Sequence, residues 1–127
     1  PGGEVISGLS VYDYIGVMKS PVNTVCIGSA ASMGAILFLA GEERSMLKNS
    51  EIMIHDPSFA AGDIGGKKPL EIQEKLDKLM AVRDKLAEII AERTGMTKEQ
   101  VCRRTESDTY LNAQEALECG IATKIIE

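Results

Sequence analysis

Residues 22–41, with the sequence VNTVCIGSAASMGAILFLAG, decide the fold class. Val22–Ile27 is a short, nearly all-apolar run that Gly28 closes, a pattern that predicts a buried strand. Ser32–Ala40 is apolar on every side and is followed by Gly41, which predicts a buried helix with a glycine C-cap. A buried strand that leads into a buried helix is typical of α/β domains.

Strands and helices alternate through the rest of the chain, which predicts parallel βαβ units with right-handed crossovers in a single domain, residues 1–127. The helix from Pro69 to near Thr94 has about 25 residues and spans about 37 Å, longer than a compact domain of this size needs. The glycine-rich stretch Ala60–Lys68 is predicted to be mobile. The other predicted elements are helices at Leu9–Met18, Thr97–Arg103 and Ala113–Glu118, strands at Glu51–Ile54 and Ala122–Ile126, a turn at Glu42–Arg44, and a short strand or loop at Ser45–Leu47.

Composition excludes several functional classes. The chain has 127 residues, 44% of them apolar, which is enough for a packed core. Its net charge of −5 argues against a nucleic-acid binder, and no apolar run approaches the roughly 20 residues that span a bilayer. One histidine and three cysteines without a C-x-x-C pair argue against a zinc site and favour a reducing compartment. We therefore expect an acidic cytoplasmic domain.

The chain starts with Pro1-Gly2-Gly3, a sequence typical of a turn between two elements. An element is therefore expected before it. On this interpretation the sequence is part of a longer polypeptide whose first strands lie upstream.

Polar residues fall at one edge of the predicted sheet. Ser32 follows the carboxyl end of the strand at 22–27, His55 follows the strand at 51–54, and Gly2-Gly3 occupies the position of a βα turn. Ligands of open α/β sheets bind outside the carboxyl ends of the strands, so this edge is the predicted functional edge.

These residue types permit nucleophilic catalysis. A serine hydroxyl needs a base, and His55 is the only histidine in the chain. The imidazole in turn needs a carboxylate, for which the candidates are Asp56, Asp63 and Asp108. The segment around Ser32 is not a G-x-S-x-G elbow, because Ala30 stands where that motif has glycine.

Each residue also has a structural interpretation. Ser32 fits an N-cap, His55 fits a hydrogen-bonded histidine at a strand end, and Asp108 fits a turn residue. Taken alone, the residue pattern leaves these alternatives open.

Four blocks of the sequence resemble the proteolytic subunit of the Clp protease, in the same order and spacing along nearly the whole chain: Pro1–Gly3, Gly28–Ala35, Met53–Pro57 and Thr105–Ala116. The resemblance implies an α/β fold of stacked ββα units with parallel strands, shared with the crotonases, and a long protruding handle helix. It also implies a serine endopeptidase with Ser32 as nucleophile, His55 as base and Asp108 as the third residue of the triad.

The resemblance implies further features. The backbone N–H groups of Gly3 and Met33 would form the oxyanion hole, and Gly65-Gly66 would pair with substrate as an added strand. The chain would assemble into heptameric rings and double rings that cleave unfolded polypeptides. A Clp-type ATPase would feed the chamber and would itself use the ATP, so that this chain needs no cofactor and no metal.

Two other functions remain alternatives. The first is a scaffold subunit that assembles into the ring but is inactive, or disarmed by truncation. The second is a crotonase-type acyl-CoA enzyme, which also uses paired backbone N–H groups but needs no Ser–His pair.

Overall fold

Five helices and six strands are interspersed along the chain in the computed structural model, which describes residues 1–127. This confirms the predicted α/β class. The helices are α1 (Val5–Val17), α2 (Met33–Leu39), α3 (Pro69–Arg93), α4 (Lys98–Thr105) and α5 (Ala113–Glu118). The strands are β1 (Thr24–Cys26), β2 (Ser29–Ala31), β3 (Arg44–Leu47), β4 (Glu51–Ile54), β5 (Thr109–Asn112) and β6 (Lys124–Ile126).

The strands form two three-stranded sheets, in the orders β1-β3-β6 and β2-β4-β5. All neighbours in the first sheet are parallel, as is β2 with β4. β5 runs antiparallel to β4, so the expectation of parallel pairing throughout is wrong at this edge. β5 follows β4 only after two intervening helices and returns along the sheet in the opposite direction.

The chain passes from the first sheet to the second at Gly28, whose φ of 77° lies in the left-handed region that glycine favours. The next three residues, Ser29–Ala31, form β2 beside β4. The sequence predicts no element between the strand that ends at Ile27 and the helix that begins at Ser32, because small side chains carry no strand signal of their own.

Helix α2 lies in the core, with Met33, Ile36 and Leu39 among its buried side chains. The predicted glycine C-cap is wrong: Ala40 is the cap residue, in a right-handed helical conformation, and Gly41 does not have a positive φ. Gly41 is instead a point of close approach, since a Cβ there would lie 2.9 Å from the backbone nitrogen of Thr24.

Helix α1 begins at Val5, four residues before the predicted start. Its N-cap is Glu4, whose carboxylate accepts hydrogen bonds from the backbone N–H groups of Ile6 and Ser7. These bonds satisfy N–H groups that the first helical turn leaves without partners.

Helix α3 confirms the long helix predicted from Pro69. Its buried residues, Leu86, Ala87 and Ile90, all lie in its C-terminal half. Towards the other end, Leu70 and Met80 are exposed. No helix in the protein is both long enough and apolar enough to cross a membrane.

Two arginines hold the ends of three helices together. Arg44 is only 7% exposed and donates to the carbonyls of Gly41, Arg93, Gly120 and Ile121. Arg93 donates to the carbonyls of Leu39 and Gly41. The predicted turn at Glu42–Arg44 is wrong at Arg44, which is the first residue of β3. Its buried guanidinium is hydrogen-bonded to backbone carbonyl oxygens.

Candidate active site

Ser32 lies between β2 and α2 with backbone angles of φ 58° and ψ −123°. It is the only residue other than glycine with a positive φ. Such a conformation costs on the order of 1–3 kcal/mol and persists only where the surrounding structure imposes it. Ser32 occupies the N-cap position of α2, but its side chain forms no capping hydrogen bond. The hydroxyl is therefore free for another partner.

That partner is His55. His55 directly follows β4, and its Nε2 atom lies 2.8 Å from Ser32 Oγ. The two side chains come from the carboxyl ends of neighbouring parallel strands, because β2 pairs with β4. The imidazole side chain is 28% exposed, so a substrate can reach it from solvent.

Of the three candidate carboxylates, only Asp108 faces the imidazole. Its Oδ1 atom lies 3.4 Å from His55 Nδ1, and its side chain is 59% exposed. Asp56 points to Arg83 at 2.8 Å, and Asp63 accepts a hydrogen bond from the backbone N–H of Ala60. The structure thus brings Ser32, His55 and Asp108 together in one row.

The Pro1-Gly2-Gly3 segment packs against the start of α2. Gly2 has a φ of 117°, and a Cβ there would lie 2.8 Å from the Ala31 carbonyl oxygen and 2.9 Å from Ser32 Cβ. The N–H groups of Gly3 and Met33 donate to no backbone carbonyl. Two free donors are therefore available beside the serine.

An apolar pocket opens next to Ser32 and His55. Polar residues at its wall are Asp56, Arg83 and Thr105. The remaining lining consists of Val5, Met33, Ile36, Ile54, Pro57, Leu86, Ala87 and Ile90. A group that enters this pocket would be held mainly by burial of apolar surface.

Gly65 and Gly66 lie in the exposed loop between β4 and α3, outside the lining of this pocket. Their role in binding substrate stays a prediction. Sequence reasoning missed Arg83, which lies on the pocket wall. The available signal was its position directly after a member of the apolar stripe along α3, which consists of Ile72, Leu76, Leu79, Val82, Leu86, Ile89 and Ile90.

The fold and the site together define a mixed α/β domain with a hydroxyl–imidazole–carboxylate row at the ends of its strands. A family model described as Clp protease matches residues 1–127. The chain belongs to the Clp protease family, which confirms the resemblance seen in the sequence. It is therefore a peptidase subunit of a proteolytic assembly.

Proposed function

We propose that this chain is a serine endopeptidase with Ser32 as nucleophile, His55 as general base and Asp108 as the residue that orients the imidazole. One observation carries the proposal: Ser32 Oγ lies 2.8 Å from His55 Nε2, on a serine with a strained backbone. A nucleophile and base within hydrogen-bond reach, with a carboxylate beyond the ring, is the arrangement that activates a serine hydroxyl.

In the proposed reaction, Ser32 Oγ attacks the carbonyl carbon of the peptide bond while His55 Nε2 takes the hydroxyl proton. The C–N bond then breaks, and the imidazolium gives that proton to the leaving amine, which leaves an acyl ester on Ser32. Water attacks the ester with His55 as base, and return of the proton to Ser32 Oγ releases the carboxylate product. Asp108 stabilises the imidazolium in both halves of the reaction.

The proposed oxyanion hole consists of the N–H groups of Gly3 and Met33. The close packing of Gly2 on Ser32 supports this assignment, since it places the following residue beside the start of α2. Neither N–H group donates to a backbone carbonyl. One such donor aimed at the oxyanion contributes about 10²–10³ in rate.

The proposed substrates are unfolded polypeptides. Gly65 and Gly66 are exposed, and their N–H groups donate to no backbone carbonyl, so an extended chain could pair with them as an added strand. Such pairing reads the backbone of the substrate and not its side chains, which suits cleavage of many sequences.

The proposed assembly is a heptameric ring that stacks into a double ring and is fed by a Clp-type ATPase. Exposed apolar side chains on α1 and α3 support self-association, since association of copies would remove them from water. They include Ile6, Tyr14, Val17, Leu70, Leu76 and Met80. In this proposal the ATPase uses the ATP, this chain holds no cofactor, and the complex acts in the cytoplasm.

The test is labelling with a fluorophosphonate probe, followed by intact mass and by particle size on the same sample. We expect a single adduct on the wild-type protein and none on Ser32→Ala. His55→Ala should label more slowly by several orders of magnitude, because the hydroxyl loses its base. A ring-sized particle without an adduct would contradict the proposal and favour a scaffold subunit.

A further inference from the structure

An ion pair joins the segment that carries His55 to the long helix. Arg83 Nε on α3 donates to Asp56 Oδ2 at 2.8 Å, and Asp56 is the residue after His55. Both side chains are mostly buried, at 23% and 28% exposed. This hydrogen bond raises the pKa of the Arg83 guanidinium, which stays protonated at neutral pH.

The same pair is tied to the helix that leads to Asp108. The Asp56 N–H donates to the carbonyl of Thr105 at 2.8 Å, and Arg83 Nη2 donates to the carbonyl of Cys102 at 3.4 Å. Thr105 ends α4, and Asp108 follows three residues later. The ion pair thus holds the segment of the base and the segment of the third residue against one helix.

We propose that Arg83 is a positioning residue of the active site: by binding Asp56 it holds that carboxylate away from the His55 imidazole, so that Nδ1 faces Asp108. Like the assignment of His55 as base, this rests on the proposed peptidase function. It differs from that assignment because it concerns a residue whose hydrogen bonds go to Asp56 and Cys102 and not to the reacting atoms.

The charges around the imidazole explain why the pairing matters. The charged groups on the surrounding elements are Asp56 after β4, Asp108 before β5, Arg83 on α3 and Glu106 at the end of α4. In the native pair the charges of Asp56 and Arg83 lie beside each other, so their effects on the imidazole oppose one another. Removing one partner leaves the other charge uncompensated beside the base, and its sign sets the direction in which the pKa of His55 moves.

The test compares Arg83→Met with Asp56→Ala. The measured quantity is kcat/KM for a fluorogenic peptide from pH 5 to 9, whose acid limb reports the pKa of the free base. The fluorophosphonate labelling rate of Ser32 against pH gives the same limb without turnover. Arg103→Met is the matched control, since Arg103 is exposed and forms no ion pair or side-chain hydrogen bond.

We expect Arg83→Met to move the acid limb to higher pH, by roughly half a unit, and Asp56→Ala to move it to lower pH. The double variant should return the limb to its wild-type position. Arg83→Met should also lower kcat/KM by about 10- to 100-fold, because the base is misplaced, whereas Arg83→Lys should keep more activity.

Wild-type acid limbs in both single variants, or shifts of the same sign, would overturn the inference, since a purely structural role predicts no reversal of sign. If Arg83→Met does not fold, Asp56→Ala decides alone, and an unshifted limb there contradicts the inference. Ser32→Ala separates the two proposals. Full activity in Ser32→Ala would contradict the proposed peptidase mechanism. An inactive Ser32→Ala together with a wild-type-like Arg83→Met would contradict only the proposed role of Arg83.

Discussion

Asp108 lies directly opposite His55, one position beyond the last paired residues of the β4–β5 ladder. Ile54 pairs with Thr109 in antiparallel register, so the residue after Ile54 and the residue before Thr109 face each other. Cross-strand neighbours have Cβ atoms about 4.5–5.5 Å apart, which brings the two side chains within reach. The 3.4 Å distance from Nδ1 to Oδ1 therefore follows from strand pairing and needs no special loop.

Replacing Asp108 by asparagine should lower kcat/KM by about 10²-fold or more, because the imidazolium loses its counter-charge while the side chain keeps its shape. Peptide hydrolysis at pH 7 measures the effect. Glu99→Gln is the control, since it removes an exposed charge at the opposite end of α4. Equal rates for Asp108→Asn and the wild type would exclude Asp108 from the mechanism.

Replacing Gly2 by alanine should abolish most activity. The new Cβ would lie 2.8 Å from the Ala31 carbonyl oxygen, at a backbone φ of 117° that disfavours any side chain. The segment must then move away from Ser32 and take the Gly3 N–H with it. Gly16→Ala in α1 is the control, since a Cβ there meets nothing within 4 Å. Initial rates and circular dichroism on both variants separate a displaced donor from a misfolded protein.

Replacing Arg44 by methionine should destabilise the fold. The change removes the arginine donor from the carbonyls of Arg93, Gly120 and Ile121, and each unsatisfied buried group costs about 1–3 kcal/mol. The Gly41 carbonyl keeps its hydrogen bond from Arg93. Burial lowers the pKa of Arg44, which means that the buried environment disfavours its charge. The hydrogen bonds to the carbonyls compensate for this cost. Urea unfolding measures the change in the free energy of unfolding. Arg103→Met should change it by less than about 0.5 kcal/mol, as is usual for surface substitutions.

The N-terminus of α1 should depend on pH through Glu4. Hydrogen bonds from Ser7 and Ile6 lower the pKa of the Glu4 carboxyl below its ordinary value of 4.5. The contribution of the ionised carboxylate to stability is thus complete above about pH 4.5 and is lost as the pH falls through the lowered pKa. The Ser7 amide resonance should titrate with a midpoint below 4.5. In Glu4→Gln that titration should vanish, and its persistence would assign the shift to another group.

The sequence correctly predicted those helices and strands that have a local apolar pattern of their own. The strand at Glu51–Ile54, the helix at Ala113–Glu118 and the long helix from Pro69 all carry a local apolar pattern, and the structure confirms them. It missed β2 and β5. Both are three or four residues long and form because β4 lies between them, a partner that local patterns do not reveal.

The site was predictable to a similar depth. The predicted topology placed Ser32 and His55 at one sheet edge, but the strand to which it assigned Ser32, at 22–27, is wrong. That strand belongs to the other sheet, and Ser32 follows β2, which pairs with β4. The residue pattern did not show which of three aspartates lies beside His55, since this depends on how β5, an antiparallel strand far along the chain, pairs with β4. The residue pattern also did not predict the ion pair between Asp56 and Arg83, which forms because α3 packs beside His55.

The two arginines at the far end of α2 bear on the electric field at Ser32. A helix carries partial positive charge at its N-terminus and partial negative charge at its C-terminus. Arg44 and Arg93 bind carbonyls at the C-terminal end of α2 and form no ion pair with any carboxylate, so two whole positive charges offset the negative end. Helix α2 is only about 10 Å long. A negative charge that forms at its N-terminus in the proposed reaction would therefore experience a favourable potential from the helix and from the cations behind it.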